Sequence, residues 1–184
     1  MKKLLLIVGP SGCGKDTLLR SARKYFLTDP RFQFLTRYIT RKPGEYEENY
    51  YVEDVGFTLL RKHKFFVSSW DAHDLKYGVP KHFLDSLKPD ETGIISISRE
   101  KISDFEILYH EKVSVIHVVA KPAIIEKRLR QRNRETRLQI ESRLARMNVP
   151  ASGKKVIPFD NSGEIEETSR LFNRLLEYLI AEKR

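Results

Sequence analysis

The sequence predicts an α/β protein: a parallel sheet covered on both faces by helices, with a small insert and an arginine-rich lid. Three observations carry that expectation. Short apolar runs alternate with amphipathic stretches along the 184 residues, the order that strand–helix–strand units require. The first apolar run, residues 4–8, leads directly into Gly9-Pro10-Ser11-Gly12-Cys13-Gly14-Lys15, which matches the phosphate-binding pattern G-x-x-x-x-G-K. An amphipathic helix follows at once, and this strand–loop–helix context separates the motif from a chance glycine-rich turn. The expected class is a P-loop nucleoside triphosphate hydrolase-type three-layer sandwich, one domain over residues 1–184.

The elements follow in order. Residues 4–8, preceded by a lysine pair, read as a buried strand. The next helix, residues 15–26, places Leu18, Leu19, Ala22 and Phe26 on one face, and Thr28-Asp29-Pro30 ends it. Residues 32–38 read as a second strand, 41–45 as a loop, and 46–52 as polar and aromatic without helical period. A short helix is expected over 55–63, a strand over 64–70, a turn at Tyr77-Gly78 and a helix over 80–87. Residues 93–98 are a buried strand, 99–109 a helix, and 113–120 the most β-rich run in the chain. Pro122 opens a basic helix to about residue 132, in keeping with proline at a first helical position. An arginine-laden helix follows Thr136 and is broken by Pro150-Ala151-Ser152-Gly153. A short strand, 156–159, and an amphipathic helix, 164–181, close the chain. Residues 37–78 interrupt the alternation and are rich in Arg, Tyr and Ser, so they form the expected acceptor insert; residues 127–147 form the expected lid.

Composition narrows the function. The formal net charge of +9 fits a site for small polyanions, a nucleic-acid surface or a solvated basic face. Basic and aromatic residues are not interleaved as single-strand binders require, so small polyanions come first and no nucleic-acid partner is expected. No apolar stretch approaches the length of a membrane span, and no membrane partner is expected. The opening M-K-K-L-L-L-I-V-G imitates a signal peptide, but its apolar run is too short and leads into Gly-Pro-Ser-Gly rather than a cleavage site. The expected location is therefore cytoplasmic. Cys13 is the single cysteine, which leaves no internal disulfide and no cysteine-based metal site. The sequence leaves monomer and homodimer both open.

The phosphate loop sets the chemistry. Its glycines let backbone N–H groups turn inward on a phosphate, the helix starting at Lys15 adds its positive end, and the Lys15 ammonium reaches the terminal phosphates. ATP and Mg²⁺ are the expected cofactors. The position after the lysine, ordinarily Ser or Thr for Mg²⁺, holds Asp16, with Thr17 one step on. A second cluster holds Arg128, Arg130, Arg132, Arg134 and, further on, Arg143. Arginines there would close over a triphosphate and neutralise charge on the transferred group; for any single one, a solvated helix face is the competing reading. A third pair, Arg37 and Arg41, stands just past a strand and is suited to gripping a phosphate. Ser68, Ser69, Trp70 and Tyr77-Gly78 supply hydroxyls and aromatics without charge, and His73 lies near them in sequence. No catalytic acid–base pair stands out. None is needed if the acceptor is a phosphate, whose second pKa of about 6 leaves it ionised at neutral pH.

These motifs resemble the guanylate kinase superfamily over essentially the whole chain, and within it the ribose 1,5-bisphosphate phosphokinases of phosphonate breakdown. The closer resemblance lies at Gly14-Lys15-Asp16, at Arg37-Tyr38-Ile39-Thr40-Arg41, at Glu48-Asn49, at Ser69-Trp70 and Ala72, at Tyr77-Gly78-Val79, and from Arg128-Leu129 through Arg143-Leu144-Ala145-Arg146. The implied reaction moves the γ-phosphoryl of ATP onto the 1-phosphate of ribose 1,5-bisphosphate, giving phosphoribosyl diphosphate. The resemblance implies acceptor contacts at Arg37, Arg41, Asn49, Ser68 and Tyr77, and places Asn161 of the 160–163 turn beside the adenine. Where guanylate kinases carry an acid that reads guanine, this chain has Ser68; their Asp-x-Asp becomes Ser96-Ile97-Ser98, and a serine becomes Arg37. Losing the carboxylates leaves a base unpaired, and gaining an arginine suits an acceptor with a second phosphate. The Asp16 carboxylate restores negative charge near the expected metal. Guanylate kinase activity is the alternative, and a non-catalytic guanylate-kinase-like binding module a further one.

Overall fold

The fold is that of a computed structural model in which residues 3–44, 48–131 and 136–181 are described. In chain order the elements are β1 (Lys3–Val8), α1 (Lys15–Tyr25), β2 (Phe32–Phe34), β3 (Tyr38–Ile39), β4 (Tyr50–Tyr51), α2 (Asp54–Lys62), β5 (Phe66–Ala72), β6 (Leu75–Pro80), α3 (Lys81–Asp85), β7 (Thr92–Ser96), α4 (Ile102–Tyr109), β8 (Val113–Val119), α5 (Pro122–Gln131), α6 (Arg137–Ala145), β9 (Val156–Asp160) and α7 (Ile165–Ala181). Among these residues β2, β7, β1, β8 and β9 form one five-stranded sheet in that order, with every pair parallel. The strand order reverses at β1, so a crevice opens beyond its carboxyl end, where sheets of this kind bind ligands.

β1 is buried on both faces, which explains its unbroken apolar run. Leu5 and Ile7 join Ile94, Ile116 and Val118 against α1, α5 and α7, through Leu18, Leu129, Phe172 and Leu176. Leu4, Leu6 and Val8 join Ile95, Val113 and Val115 on the opposite face, against Leu84, Ile102 and Phe105. Each fully buried side chain of this size contributes roughly 1.5–3 kcal/mol, whereas exposed ion pairs such as Arg61–Asp71 and Arg130–Glu126 give about 0–1 kcal/mol each. The two-sided core therefore dominates stability and fixes where the end of β1 presents its loop.

A second sheet, β4-β3-β6-β5, stands over the carboxyl ends of the first. It alters two expected elements. The 32–38 run is not one strand. Phe32–Phe34 pairs with β7, then the chain crosses over so that Tyr38 and Ile39 pair with Gly78 and Tyr77. Nor is Tyr77-Gly78 a turn: both residues lie inside β6, and the reversal occurs two positions beyond Ala72, before Leu75. His73 and Asp74 both have positive φ, 54° and 59°, the geometry of a two-residue type I′ hairpin. Gly78 serves packing instead, because a Cβ there would meet the Phe66 ring at 2.6 Å.

Candidate active site

The phosphate loop is shaped by three glycines with positive φ: Gly9, Gly12 and Gly14. At Gly14 (φ 93°) a side chain would also run into the Asn161 amide. That amide donates to the Cys13 carbonyl at 2.8 Å, and Arg128 Nη1 donates to the same oxygen at 3.3 Å. Two elements remote in sequence thus hold the loop's last turn. Lys15 Nζ donates to the Gly9 and Pro10 carbonyls, each at 2.9 Å, and approaches Cys13 Sγ at 3.6 Å. Its charge is held over the mouth of the loop at the amino end of α1.

Beyond the loop lies a cleft of about 170 Å³. The loop and α1 contribute Gly9, Ser11, Gly12, Gly14, Lys15 and Asp16; the second sheet and its approaches contribute Arg37, Arg41, Trp70, His73 and Tyr77; α6 contributes Arg143. Tyr77 stacks on Trp70, its cross-strand partner, with centroids 5.5 Å apart and planes 3° from parallel. Arg37 lies over the Tyr77 ring at 5.5 Å. Its Nη1 donates to the carbonyl and hydroxyl of Ser96, both at 3.1 Å, and its Nη2 stands 3.5 Å from Asp16 Oδ1. Ile97 and Ser98 close the far wall.

Asp16 fits a magnesium group chemically. Mg²⁺ takes hard oxygen ligands and is commonly held by one or two carboxylates plus substrate phosphates. No cluster of three or more potential ligating side chains occurs among the described residues, so triphosphate and water would complete the shell around Asp16. Its position gives a second reason. A carboxylate in the first turn complements the helix dipole but repels an anion bound at the same end, unless a cation stands between them.

On the other side of the loop a cavity of about 410 Å³ is lined by Thr17, Leu18, Ile124, Arg128, Asn161 and Gly163, among others. It adjoins the phosphate loop, with Leu18, Ile124 and Ile165 as apolar patches among polar and charged groups that include Lys127, Arg128, Gln131 and Asn161. Helices α5 and α6 meet the loop directly, with Arg128 Nη1 donating to the Cys13 carbonyl and Arg143 Nη1 donating to Ser11 Oγ at 2.5 Å. A capping box of Thr136 and Gln139 starts α6. Arg99 caps its far end, donating to the carbonyls of Arg146, Met147 and Val149, while burial lowers the Arg99 pKa.

The structure thus gathers Gly9, Ser11, Gly12, Gly14, Lys15, Asp16, Arg37, Arg41, Tyr77 and Arg143 around one cleft, and Thr17, Arg128 and Asn161 around the adjoining cavity. Pro10 and Cys13 belong to the loop through their carbonyls. Asn49 is set back: its amide donates to the Arg41 carbonyl at 3.2 Å, so it shapes the backbone carrying Arg41. Ser68 is buried on the side of α4 and donates to Asp104 Oδ2 at 2.7 Å, away from the cleft lining. Arg132 and Arg134 lie outside the described residues. Sequence reasoning passed over Arg20 and Arg23, which project from α1 into a small pocket beside Asp16. Their spacing from Asp16 along one helix face was the available signal.

His117 sits on β8 between Val8 and Pro158 of the neighbouring strands, and its Nε2 is buried without a hydrogen-bond partner. Burial, then the Arg99 and Lys15 charges, push its pKa below the ordinary 6.5. Above that pH both folded and unfolded chains hold it neutral. As pH falls through 6.5, the unfolded chain binds a proton that the folded chain still refuses, so stability declines until the folded pKa is reached. The melting temperature should therefore fall between pH 7 and 5.5, and less steeply in His117→Gln. An identical slope in the variant would remove His117 as the cause.

The parallel sheet with its order reversing at β1, the glycine loop, the overlying second sheet and the arginine-bearing helices α5 and α6 together define a guanylate kinase-like P-loop kinase. The crystal structure of guanylate kinase from Anaplasma phagocytophilum matches it with a TM-score of 0.68 at 18% identity, covering 99% of this chain and 88% of that one. A gluconokinase from Sinorhizobium meliloti matches at 0.52 and 14% identity, covering 99% and 98%; at these identities the likeness is one of fold. No protein-family model matches the chain. In sequence it is 36% identical over 169 residues to ribose 1,5-bisphosphate phosphokinase PhnN of Brucella melitensis, covering 90% of this chain and 87% of that protein. It is 35% identical over 176 residues to the protein of that name from Agrobacterium fabrum, covering 95% and 96%, and 34% over 181 residues to the one from Burkholderia pseudomallei, covering 97% of each. The chain belongs to the ribose 1,5-bisphosphate phosphokinase family.

Proposed function

We propose that this kinase uses ATP and Mg²⁺ to phosphorylate ribose 1,5-bisphosphate, giving 5-phospho-α-D-ribose 1-diphosphate and ADP. The observation that carries the reading is the acceptor wall. Where a base-reading site needs carboxylates, the cleft presents Arg37 anchored on Ser96, with Ser98 beside it. Such a wall offers donors to a phosphate, and the Asp16 carboxylate that lines the same cleft stands 3.5 Å from Arg37.

An oxygen of the sugar 1-phosphate attacks the γ-phosphorus, and the bond to the β–γ bridging oxygen breaks as ADP leaves. The attacking phosphate is already ionised, with a second pKa of about 6, so no side chain has to remove a proton. The protein supplies position and positive charge. Lys15 and Arg143 face the transferred group from the loop and the lid, and Arg132 and Arg134 are assigned the same charge-neutralising role from the sequence. Arg41 and Tyr77 hold the acceptor. Asn49 and Ser68 fix backbone and strand behind it. Arg128 and Asn161 hold the loop at Cys13 and border the cavity assigned to adenine. Bound Mg²⁺, held by Asp16, would supply charge neutralisation on the triphosphate.

The test is a purified-enzyme assay with ATP and Mg²⁺ that compares ribose 1,5-bisphosphate with GMP. The sugar is expected to be turned over with at least 100-fold greater kcat/KM, about 2.7 kcal/mol in transition-state terms. Efficient GMP phosphorylation without sugar activity would overturn the assignment.

A further inference from the structure

Beside the main cleft is a second, smaller pocket of about 50 Å³, lined by Asp16, Arg20, Arg23, Arg37, Glu48 and Ser96 among others. Asp16 and Arg37 line both spaces, so they form the wall that the two share. Three guanidinium groups meet here. Arg20 and Arg23 come from the helix that begins at the phosphate loop, and Arg37 from the chain leaving β2. Arg23 is built into place: its Nη2 donates to the Phe34 carbonyl at 3.1 Å and the Thr36 hydroxyl at 3.4 Å, and its Nε pairs with Glu48 at 2.9 Å. Arg37 is fixed by Ser96 on one side and Asp16 on the other. Among the described residues three guanidinium groups face this pocket beside two carboxylates, those of Asp16 and Glu48.

We propose that this pocket is the subsite for the non-reacting phosphate of the acceptor, gripped by Arg20 and Arg37, with Arg23 as the positioning residue that shapes it. The inference rests on the reading of the acceptor as a sugar bisphosphate and says where its second phosphate goes. Guanidinium forks match phosphate oxygens bidentately, and three of them converging on one small pocket exceed what a neutral ring or a base would need. The spacing also fits. Arg20 is five residues beyond Lys15 on α1, which is ~7.5 Å along the helix axis, a separation that a sugar ring bearing a phosphate at each end bridges. The reacting phosphate then lies in the main cleft before Lys15, and the other behind the Asp16–Arg37 wall. Selection of a bisphosphate over a monophosphate follows from this division.

Calorimetric titration without nucleotide separates the possibilities, using wild type, Arg20→Gln and Arg20→Lys with ribose 1,5-bisphosphate and ribose 1-phosphate. One charge-assisted contact of about 1.5–3 kcal/mol predicts that Arg20→Gln weakens the bisphosphate about 10- to 100-fold. The monophosphate should change no more than about twofold, and Arg20→Lys should fall between. The melting temperature of each variant shows that α1 is intact. Equal weakening of both ligands, or of neither, overturns the subsite while leaving the proposed activity standing. Wild-type protein that binds neither sugar phosphate overturns the acceptor assignment and the subsite with it, and that result needs no variant.

Discussion

Replacing Lys15 with methionine is expected to lower kcat at least 100-fold, with a melting temperature close to that of the wild type. The ammonium donates to two carbonyl groups of its own loop, those of Gly9 and Pro10, which places a full positive charge where the terminal phosphates of a bound triphosphate must lie. Charge that develops on the transferred group meets a fixed partner there at no reorganisation cost, and removal of one such preorganised donor costs about 2.7–4 kcal/mol. Methionine keeps the unbranched stem and a soft sulfur beside Cys13, so the loop loses charge and little packing. The three glycine conformations and the clamp of Asn161 and Arg128 on Cys13 do not depend on Lys15, which is why the fold should hold. Steady-state kinetics with both substrates saturating, alongside thermal melting, checks this. Wild-type turnover in the variant would remove Lys15 from the chemistry; a large drop in melting temperature would make it a structural element of the loop.

The parts of this fold that were legible in the sequence are those with a strong local cause. β1 is buried on both faces and reads as a continuous apolar run, while β7 and β8 are legible from their Ile and Val content, TGIIS and VSVIHVV. The phosphate loop declares itself by glycines that its backbone geometry requires. The second sheet was less legible, because β3 and β4 are only two residues long and carry no measurable period. The hairpin turn was missed because His73 and Asp74 adopt positive φ where the usual signal is a glycine, while Gly78 mimicked a turn and is a packing glycine. Long-range polar partners were not legible, although the helical spacing of Asp16, Arg20 and Arg23 put those three on one face. Nothing in the local sequence says that Ser68 donates to Asp104, that Arg99 caps α6 across the lid, or that Arg20 and Arg23 flank a pocket shared with Arg37. Such contacts join residues far apart in the chain, and side-chain type alone does not fix them.

Asp16→Asn is expected to raise the Mg²⁺ concentration needed for half-maximal activity at least tenfold and to reduce turnover at saturating acceptor. The carboxylate stands in the first turn of α1 and at the cleft wall. A carboxylate and a triphosphate oxygen at about 4 Å repel by ~1 kcal/mol in water and ~4 kcal/mol at the intermediate dielectric of a protein surface, more than the 0.3–1 kcal/mol that the helix dipole returns. The residue is therefore a liability for a kinase unless a cation offsets it. Arg37 at 3.5 Å is one such cation, and a divalent ion bound with the nucleotide is the other. The two roles separate experimentally. If Asp16 holds the metal, calorimetric binding of an ATP analogue loses its Mg²⁺ enhancement in Asp16→Asn and keeps it in Arg37→Ala, whose defect is a raised acceptor KM. If instead both variants raise the acceptor KM alike and leave the Mg²⁺ dependence of nucleotide binding unchanged, Asp16 acts only by steering Arg37, and the metal assignment fails.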